Sequence, residues 1–340
     1  MKRITEMKRF HYKSILALAI IFTVAGCDHD TDPDGPNLVD RFGPFNVVVP
    51  LSVNTTSVDF SSGEEVIFTA QFNKNVDWRI EITGLQSGAV RRIEGFDREI
   101  NAGNATWTGG TTILPFFKNE MCAVQLTVPE EPDFIDSAQV EIIGTKIYPG
   151  SLFTDFEDAP GQNIEFGNFE FELTNQSGRQ NVLTAGQGDW YYFLEGTDNV
   201  VPNFFVGLAN ISSTITGQTY APMPSTVPAQ VFFNCLMYHD GSPNGIAVIQ
   251  FAYDSNDNGV FDDGPDETFQ LPGDFPLNWV GWRHIHHSMA DVGISSEKLQ
   301  KIVAIRLLLI SDLNSQPNPP QPVRYGTDFI TFTQGGPLQL

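Results

Sequence analysis

Val66-Ile67-Phe68-Thr69-Ala70-Gln71-Phe72 is a run of strand formers in which Val66, Phe68, Ala70 and Phe72 fall on one face. Trp78-Arg79-Ile80-Glu81-Ile82 and Val124-Gln125-Leu126-Thr127-Val128 repeat the pattern further along. Such runs recur from Val47 onward at intervals of about 8–12 residues, punctuated by Gly, Asn, Asp and Pro, which is the cadence of β-sandwiches. One window, Ser295 to Ile302, reads as helix, with a serine ahead of a short amphipathic turn. No βαβ alternation occurs, which argues against a Rossmann or barrel enzyme. The fold class expected is all-β.

The chain has 340 residues, 41% of them hydrophobic and 12% aromatic, which is ample for a core. Lys and Arg number 19 against 41 Asp and Glu, a net charge of -22. A polyanion of this kind repels phosphate backbones, and beyond the first residues no Lys/Arg cluster interleaves with aromatics, so nucleic acid is excluded as a partner. Of the three cysteines, Cys122 and Cys235 sit in apolar surroundings and are expected to be small buried hydrophobes without a disulfide.

Lys2, Arg3, Lys8, Arg9 and Lys13 precede an apolar run from Ile15 to Val24, the layout of a secretory signal. The run is short of the ~20 residues a spanning helix needs. It ends at Val24-Ala25-Gly26-Cys27, which resembles the bacterial lipobox. That resemblance implies a lipoprotein signal peptide over residues 1–26 and a lipid on Cys27 as the membrane anchor. Residues 27–45 then read as an acidic tether, with Asp28, Asp30, Asp32 and Asp34 and no large apolar side chain before Leu38. An acidic run behind the lipidated cysteine is similar to the export signal of surface-exposed lipoproteins in the Bacteroidota, which implies the outer membrane, facing the exterior. Read as a mere spacer, the same run leaves the leaflet open.

Residues 46–148 have the size and strand count of an immunoglobulin-like sandwich. Trp78 to Gly84, Val90-Arg91-Arg92-Ile93 and Gly103 to Gly110 also resemble the Ig-like modules of the flagellar-hook-cap type, in which Trp78 and Trp107 would be core. Residues 149–340 carry four blocks in order: Phe153-Thr154-Asp155-Phe156-Glu157, Gly188 to Gly196, Gly281-Trp282-Arg283-His284-Ile285 and Gly326 to Phe332. Together they resemble a galactose-binding-like jelly roll, the fold of many carbohydrate-binding modules. The apolar run Ile302 to Ile310 fits a strand covered on both faces.

Asp254-Ser255-Asn256-Asp257-Asn258-Gly259 reproduces the D-x-[DN]-x-[DN]-G spacing of calcium loops, and Asp262 fits the ninth position. Pro265 stands where an EF-hand would place its bidentate Glu, so Asp263, Asp266 or Glu267 would close the shell around a structural Ca²⁺. A bare Asx-Gly turn is the alternative. The jelly-roll resemblance adds Glu157 and Asp328 as a secondary calcium pair. His284 and His286 share a strand face but lack further ligands for zinc. Neither a nucleophile elbow, a zincin helix nor a Walker loop is present, and no catalytic role is expected.

Sugar recognition combines flat apolar faces with groups that bond hydroxyls. Trp190, Tyr192, Tyr238, Trp279, Trp282 and Arg283 are the candidate ligand residues, with Trp279 read as the most exposed because a Pro/Gly-rich segment precedes it. The expectation is a cell-surface lipoprotein whose jelly roll binds extracellular polysaccharide non-catalytically, with an outer-membrane transporter or envelope protein as a further partner. Left open are an adhesive envelope protein that binds a protein partner and a glycan-degrading enzyme.

Overall fold

The computed structural model describes residues 43–157, 167–169, 174–198, 205–241, 245–273, 275–311 and 322–340. Cys27 and the acidic stretch behind it lie outside the described residues. Contacts divide the chain into Met1–Phe45 and Asn46–Leu340. Among the described residues no helix is long and apolar enough to cross a membrane.

The first seven strands are β1 (Val47–Val53), β2 (Ser57–Asp59), β3 (Val66–Gly84), β4 (Val90–Ile100), β5 (Thr106–Trp107), β6 (Met121–Thr127) and β7 (Ile135–Gly144). They form one sheet of order β1-β3-β6-β7-β2, with β4 and β5 also paired to β3. The quoted run from Val66 to Phe72 is the first part of β3. Its residues at 66, 68, 70 and 72 are buried, as the alternation requires. The register with β4 shifts between Gln71 and Val76, so β4 pairs with both halves of the strand, while β1 and β5 pair with the first half and β6 with the second. Trp78 and Trp107 are core residues, 2% and 1% exposed. A Cβ on Gly95 would lie 2.4 Å from the Trp78 ring, so only glycine lets β4 approach it.

The remaining strands are β8 (Ser151–Thr154), β9 (Gly167–Phe169), β10 (Thr174–Gln180), β11 (Tyr191–Asp198), β12 (Phe205–Ser212), β13 (Val231–Asp240), β14 (Gly245–Tyr253), β15 (Glu267–Gln270), β16 (Phe275–Pro276), β17 (Val280–Ser288), β18 (Ile302–Ser311) and β19 (Pro322–Gln334). One six-stranded sheet runs β10-β11-β19-β13-β17 with β8 beside β19; the other runs β15-β14-β18-β12-β9 with β16 beside β14. Phe233, Met237, Tyr192 and Phe332 from the first pack on Ile249, Phe251, Ile305 and Leu307 from the second, closing a jelly-roll β-sandwich. Burying each such side chain contributes about 1.5–3 kcal/mol. The helical window is confirmed as α1 (Ser296–Leu299), with Ser295 accepting from Lys298 N.

Cys122 and Cys235 are free and buried. Burial, then the nearby Glu120 charge, pushes the Cys122 thiol up to about 12, so it stays protonated.

Candidate functional site

Alternation along the strands sorts the jelly roll's first sheet into an inner and an outer face. On β13, residues 233, 235 and 237 enter the core, so Leu236, Tyr238 and Asp240 face outward. Tyr238 pairs with Gly326 of β19 on one side and with Trp282 of β17 on the other, and Gly326 pairs with Phe193 of β11. Cross-strand partners share a face, so Phe193, Gly326, Tyr238 and Trp282 form one row across four strands. The Tyr238 and Trp282 rings lie 5.4 Å apart, and Tyr191 meets Trp282 edge-on at 5.7 Å. At Gly326 a Cβ would stand 3.1 Å from the Tyr191 ring and 3.3 Å from Tyr238 Cβ, so the glycine lets the two rings close over the strand.

The adjoining row is ionic. Glu195 pairs with Arg324, and Asp240 lies on the same face. The Arg324 guanidinium reaches Glu195 Oε2 at 3.0 Å and Asp240 Oδ2 at 3.2 Å. Its Nε is buried yet lacks the alignment of a hydrogen bond, so charge rather than geometry holds it to Glu195. Burial, then the Asp240 charge, raises the Tyr238 phenol, which stays a neutral donor. Half-buried aromatic rings beside a guanidinium with two carboxylates thus make a platform that can stack on a C–H face and bond hydroxyls.

The rest of this outer face is covered. Residues 183–190 fold across it: Trp282 Nε1 donates to Thr184 O at 2.9 Å, and Gly186 packs on Leu236 and Trp282. Two carboxylates pin the segment. Glu157 Oε1 accepts from Asp189 N and Trp190 N at 2.7 and 2.6 Å, and Asp328 accepts from Gln187 N at 2.8 Å and Phe329 N at 2.7 Å. Burial raises both carboxyls, Asp328 well above the ordinary range.

Several expected ligand residues lie elsewhere. Trp279, read as exposed, is 7% exposed and part of the core; the segment before it folds back through β16 onto β14. Tyr192 points inward and is 1% exposed, because its odd-numbered neighbours 191 and 193 take the outer face. Arg283 follows Trp282 by one residue and therefore faces the other way, stacking on Trp279 at 4.9 Å. Trp190 packs against the core edge under Arg179, 4.3 Å away. Tyr238 and Trp282 do come together. Sequence reasoning missed Glu195 and Arg324, whose only signal is their opposed positions on paired strands.

The Asp254 loop closes on itself. Asp254, fully buried, accepts from Asn258 N, Gly259 N and the Tyr220 hydroxyl, and Asn256 and Asn258 both donate to Asp262 Oδ2. Asp266 accepts from Ser255 N and Asp262 N, while Asp257 pairs with Lys301 at 2.5 Å. The charge of Asp263 is felt at Arg306. So Asp254, Asn256, Asn258 and Asp262 converge, and Asp263 and Asp266 serve other partners. Among the described residues no three His, Cys, Asp or Glu side chains are grouped to hold a metal ion. His284, lowered to about 4 by burial and then by His286, is neutral and lies 3.1 Å from Asn234 Oδ1.

No family model and no curated protein matches the chain. Solved structures similar to it include a carbohydrate-binding module of the β-sandwich superfamily (11% identity, 85% of this chain and 98% of that one, TM-score 0.37). SGBP-B from a xyloglucan utilization locus of Bacteroides uniformis shares 11% identity over 84% of this chain and 73% of its own, with a TM-score of 0.38. A family 11 carbohydrate-binding module of Clostridium thermocellum, in complex with a mixed-linked tetrasaccharide, shares 14% over 56% and 98%, with a TM-score of 0.35. With TM-scores below 0.5, the functional reading rests on this chain's own residues.

Proposed function

We propose that this chain is a surface lipoprotein that binds polysaccharide non-catalytically on the outer face of its jelly roll, where the Tyr238–Trp282 row lies beside the Glu195–Arg324–Asp240 row. The observation that carries this reading is the pairing register, which sets aromatic rings and a polar fork side by side on one outer face. An Ig-like spacer over residues 46–148 would present the platform, and lipidation at Cys27 would anchor it. The basic start, the apolar run and Val24-Ala25-Gly26-Cys27 support the anchor. In this reading the Asp254 loop takes a structural Ca²⁺, a role supported by the convergence of Asp254, Asn256, Asn258 and Asp262.

The test is affinity electrophoresis of the protein through gels containing single polysaccharides, with Trp282→Ala and Tyr238→Ala as variants. Retardation by one polymer that both variants weaken supports glycan capture. A folded sample slowed by no polymer removes it in favour of an envelope partner, to be sought by crosslinking. Cys27→Ser should move the protein from the membrane to the soluble fraction; a variant that stays membrane-bound refutes the anchor.

A further inference from the structure

In the first sheet, β4 is an edge strand. It pairs with β3 on one side, and among the described residues its other side carries only the bridge from Val90 to Ile113. Thr112 Oγ1 accepts from Arg92 N at 3.1 Å, and beyond that point no described strand covers Ile93-Glu94-Gly95-Phe96-Asp97-Arg98-Glu99. The bonds of Val90 and Arg92 to this side fix the direction of the backbone. In antiparallel pairing the N–H and C=O groups alternate between the two sides, so Glu94, Phe96 and Arg98 also turn theirs away from β3. Arg98 N donates to its neighbour Asp97 Oδ1 at 2.7 Å. The backbone groups of Glu94 and Phe96 meet no partner on that side among the described residues.

The side chains follow the same count. Ile93 and Gly95 lie opposite Ile80 and Trp78, which are core residues, so Glu94, Phe96 and Arg98 belong to the outer face. Phe96 is 66% exposed at the centre of the open stretch. Arg79 Nε meets Glu94 through one carboxylate oxygen, at 2.5 Å, and Arg98 makes no ion pair among the described residues.

An open edge is a template for another strand, and charges along it normally turn strands away. These charges are complementary to their own reversal. Laid antiparallel on itself, Glu94-x-Phe96-x-Arg98 sets Glu94 on Arg98, Phe96 on Phe96 and Arg98 on Glu94. Neighbouring registers fail. A centre between two residues sets outward backbone groups against inward ones. A centre on Glu94 or on Asp97 sets a carboxylate against its own copy, and a centre on Gly95 sets Arg92 against Arg98.

We propose that β4 is a self-association edge, to which a second copy of this chain adds its own β4 antiparallel about a twofold axis through Phe96. The paired residues then exchange both of their backbone bonds, an ion pair flanks the axis on each side, and the two exposed rings cover each other. This edge lies outside the jelly roll, and the association needs no glycan.

The experiment is sedimentation equilibrium of the whole protein in the absence of polysaccharide, with Glu94→Arg, Arg98→Glu and Phe96→Asp as variants. Wild type should show twice the monomer mass. All three side chains are exposed, so the variants should keep the fold, which circular dichroism checks. Each variant sets like charges against each other across the axis and should weaken the dimer by at least about tenfold. An equimolar mixture of the Glu94→Arg and Arg98→Glu proteins should dimerise again, because each offers the other opposite charges at both ends of the pairing. Wild type that stays monomeric at about 100 μM overturns the proposal. A dimer that the charge reversals leave intact also overturns it, because the contact then lies elsewhere, as does a mixture of the two monomeric variants that fails to associate.

Discussion

Arg324→Met tests the platform most directly, because one guanidinium serves both fold and face. Arg324 is 34% exposed and lies between Glu195 at 15% and Asp240 at 25%. A fully exposed pair contributes about 0–1 kcal/mol. Breaking a fully buried one costs ~3–5 kcal/mol, because the surviving charge is stranded. This triad lies between those limits, so methionine, which keeps the packing stem, should destabilise by about 2 kcal/mol. In a domain of this size that lowers the melting temperature by roughly 4–8 °C, and the loss should shrink in high salt. Binding should suffer more, since charge-assisted bonds to ligand hydroxyls contribute about 1.5–3 kcal/mol, equivalent to roughly a 10–100-fold weaker affinity. Urea unfolding gives the first quantity and retardation in polysaccharide gels the second. A folded Arg324→Met protein retarded like wild type would show that the triad only staples strands, and the reading of this face would fall.

Trp279→Ala should cost ~3–5 kcal/mol, since its ring is buried and its Nε1 donates to Gly281 O, while Trp279→Phe should retain most of the ligand affinity; near-wild-type stability of the alanine variant would contradict its burial. Melting in excess Ca²⁺ and in chelator reports on the Asp254 loop: a rise of several degrees with calcium is expected, and coincident curves would remove the ion. Glu120 is pH-sensitive in a defined direction. Burial opposes its charge, but N–H groups of Lys118, Ser87 and Gln86 and the Ser87 hydroxyl outweigh it, so its folded pKa lies below the unfolded value. Its contribution is therefore present above the unfolded carboxyl range, about 4.3, and is lost as pH falls through the folded value. Glu120→Gln should be less stable than wild type by ~2 kcal/mol at pH 7, with the gap narrowing toward pH 3; a constant gap would refute the assignment.

The all-β fold was legible because period-two burial is local: Val66 to Phe72 and Val124 to Val128 display their buried faces without reference to any partner strand. The site was half legible. Tyr238 and Trp282 are residue types that suggest stacking, but their adjacency is a fact of register, set by β13 pairing with β17, which places them opposite each other across 43 intervening positions. Trp279 was misjudged because Pro and Gly mark a change of direction and do not say which side of it is wet. Arg283 was misjudged because neighbours in sequence are opposites in a strand. Glu195 and Arg324 stand more than a hundred residues apart, and nothing in the composition of either strand announces that they meet.

The contacts around Tyr148 bear on how this molecule can be cut. Phe116 and Leu338 pack with Leu236 in one small cluster, Phe116 N donates to Gly186 O at 2.8 Å, and Lys118 pairs with Asp189 at 2.6 Å. Excising the jelly roll after residue 148 would lay bare Phe329, Leu236 and Leu338 and release one side of the segment that roofs Trp282. A fragment made that way would present a sticky apolar patch and a loosened roof, and its adhesion to a polysaccharide gel would mimic recognition. The shortest trustworthy expression boundary therefore precedes β1, not β8.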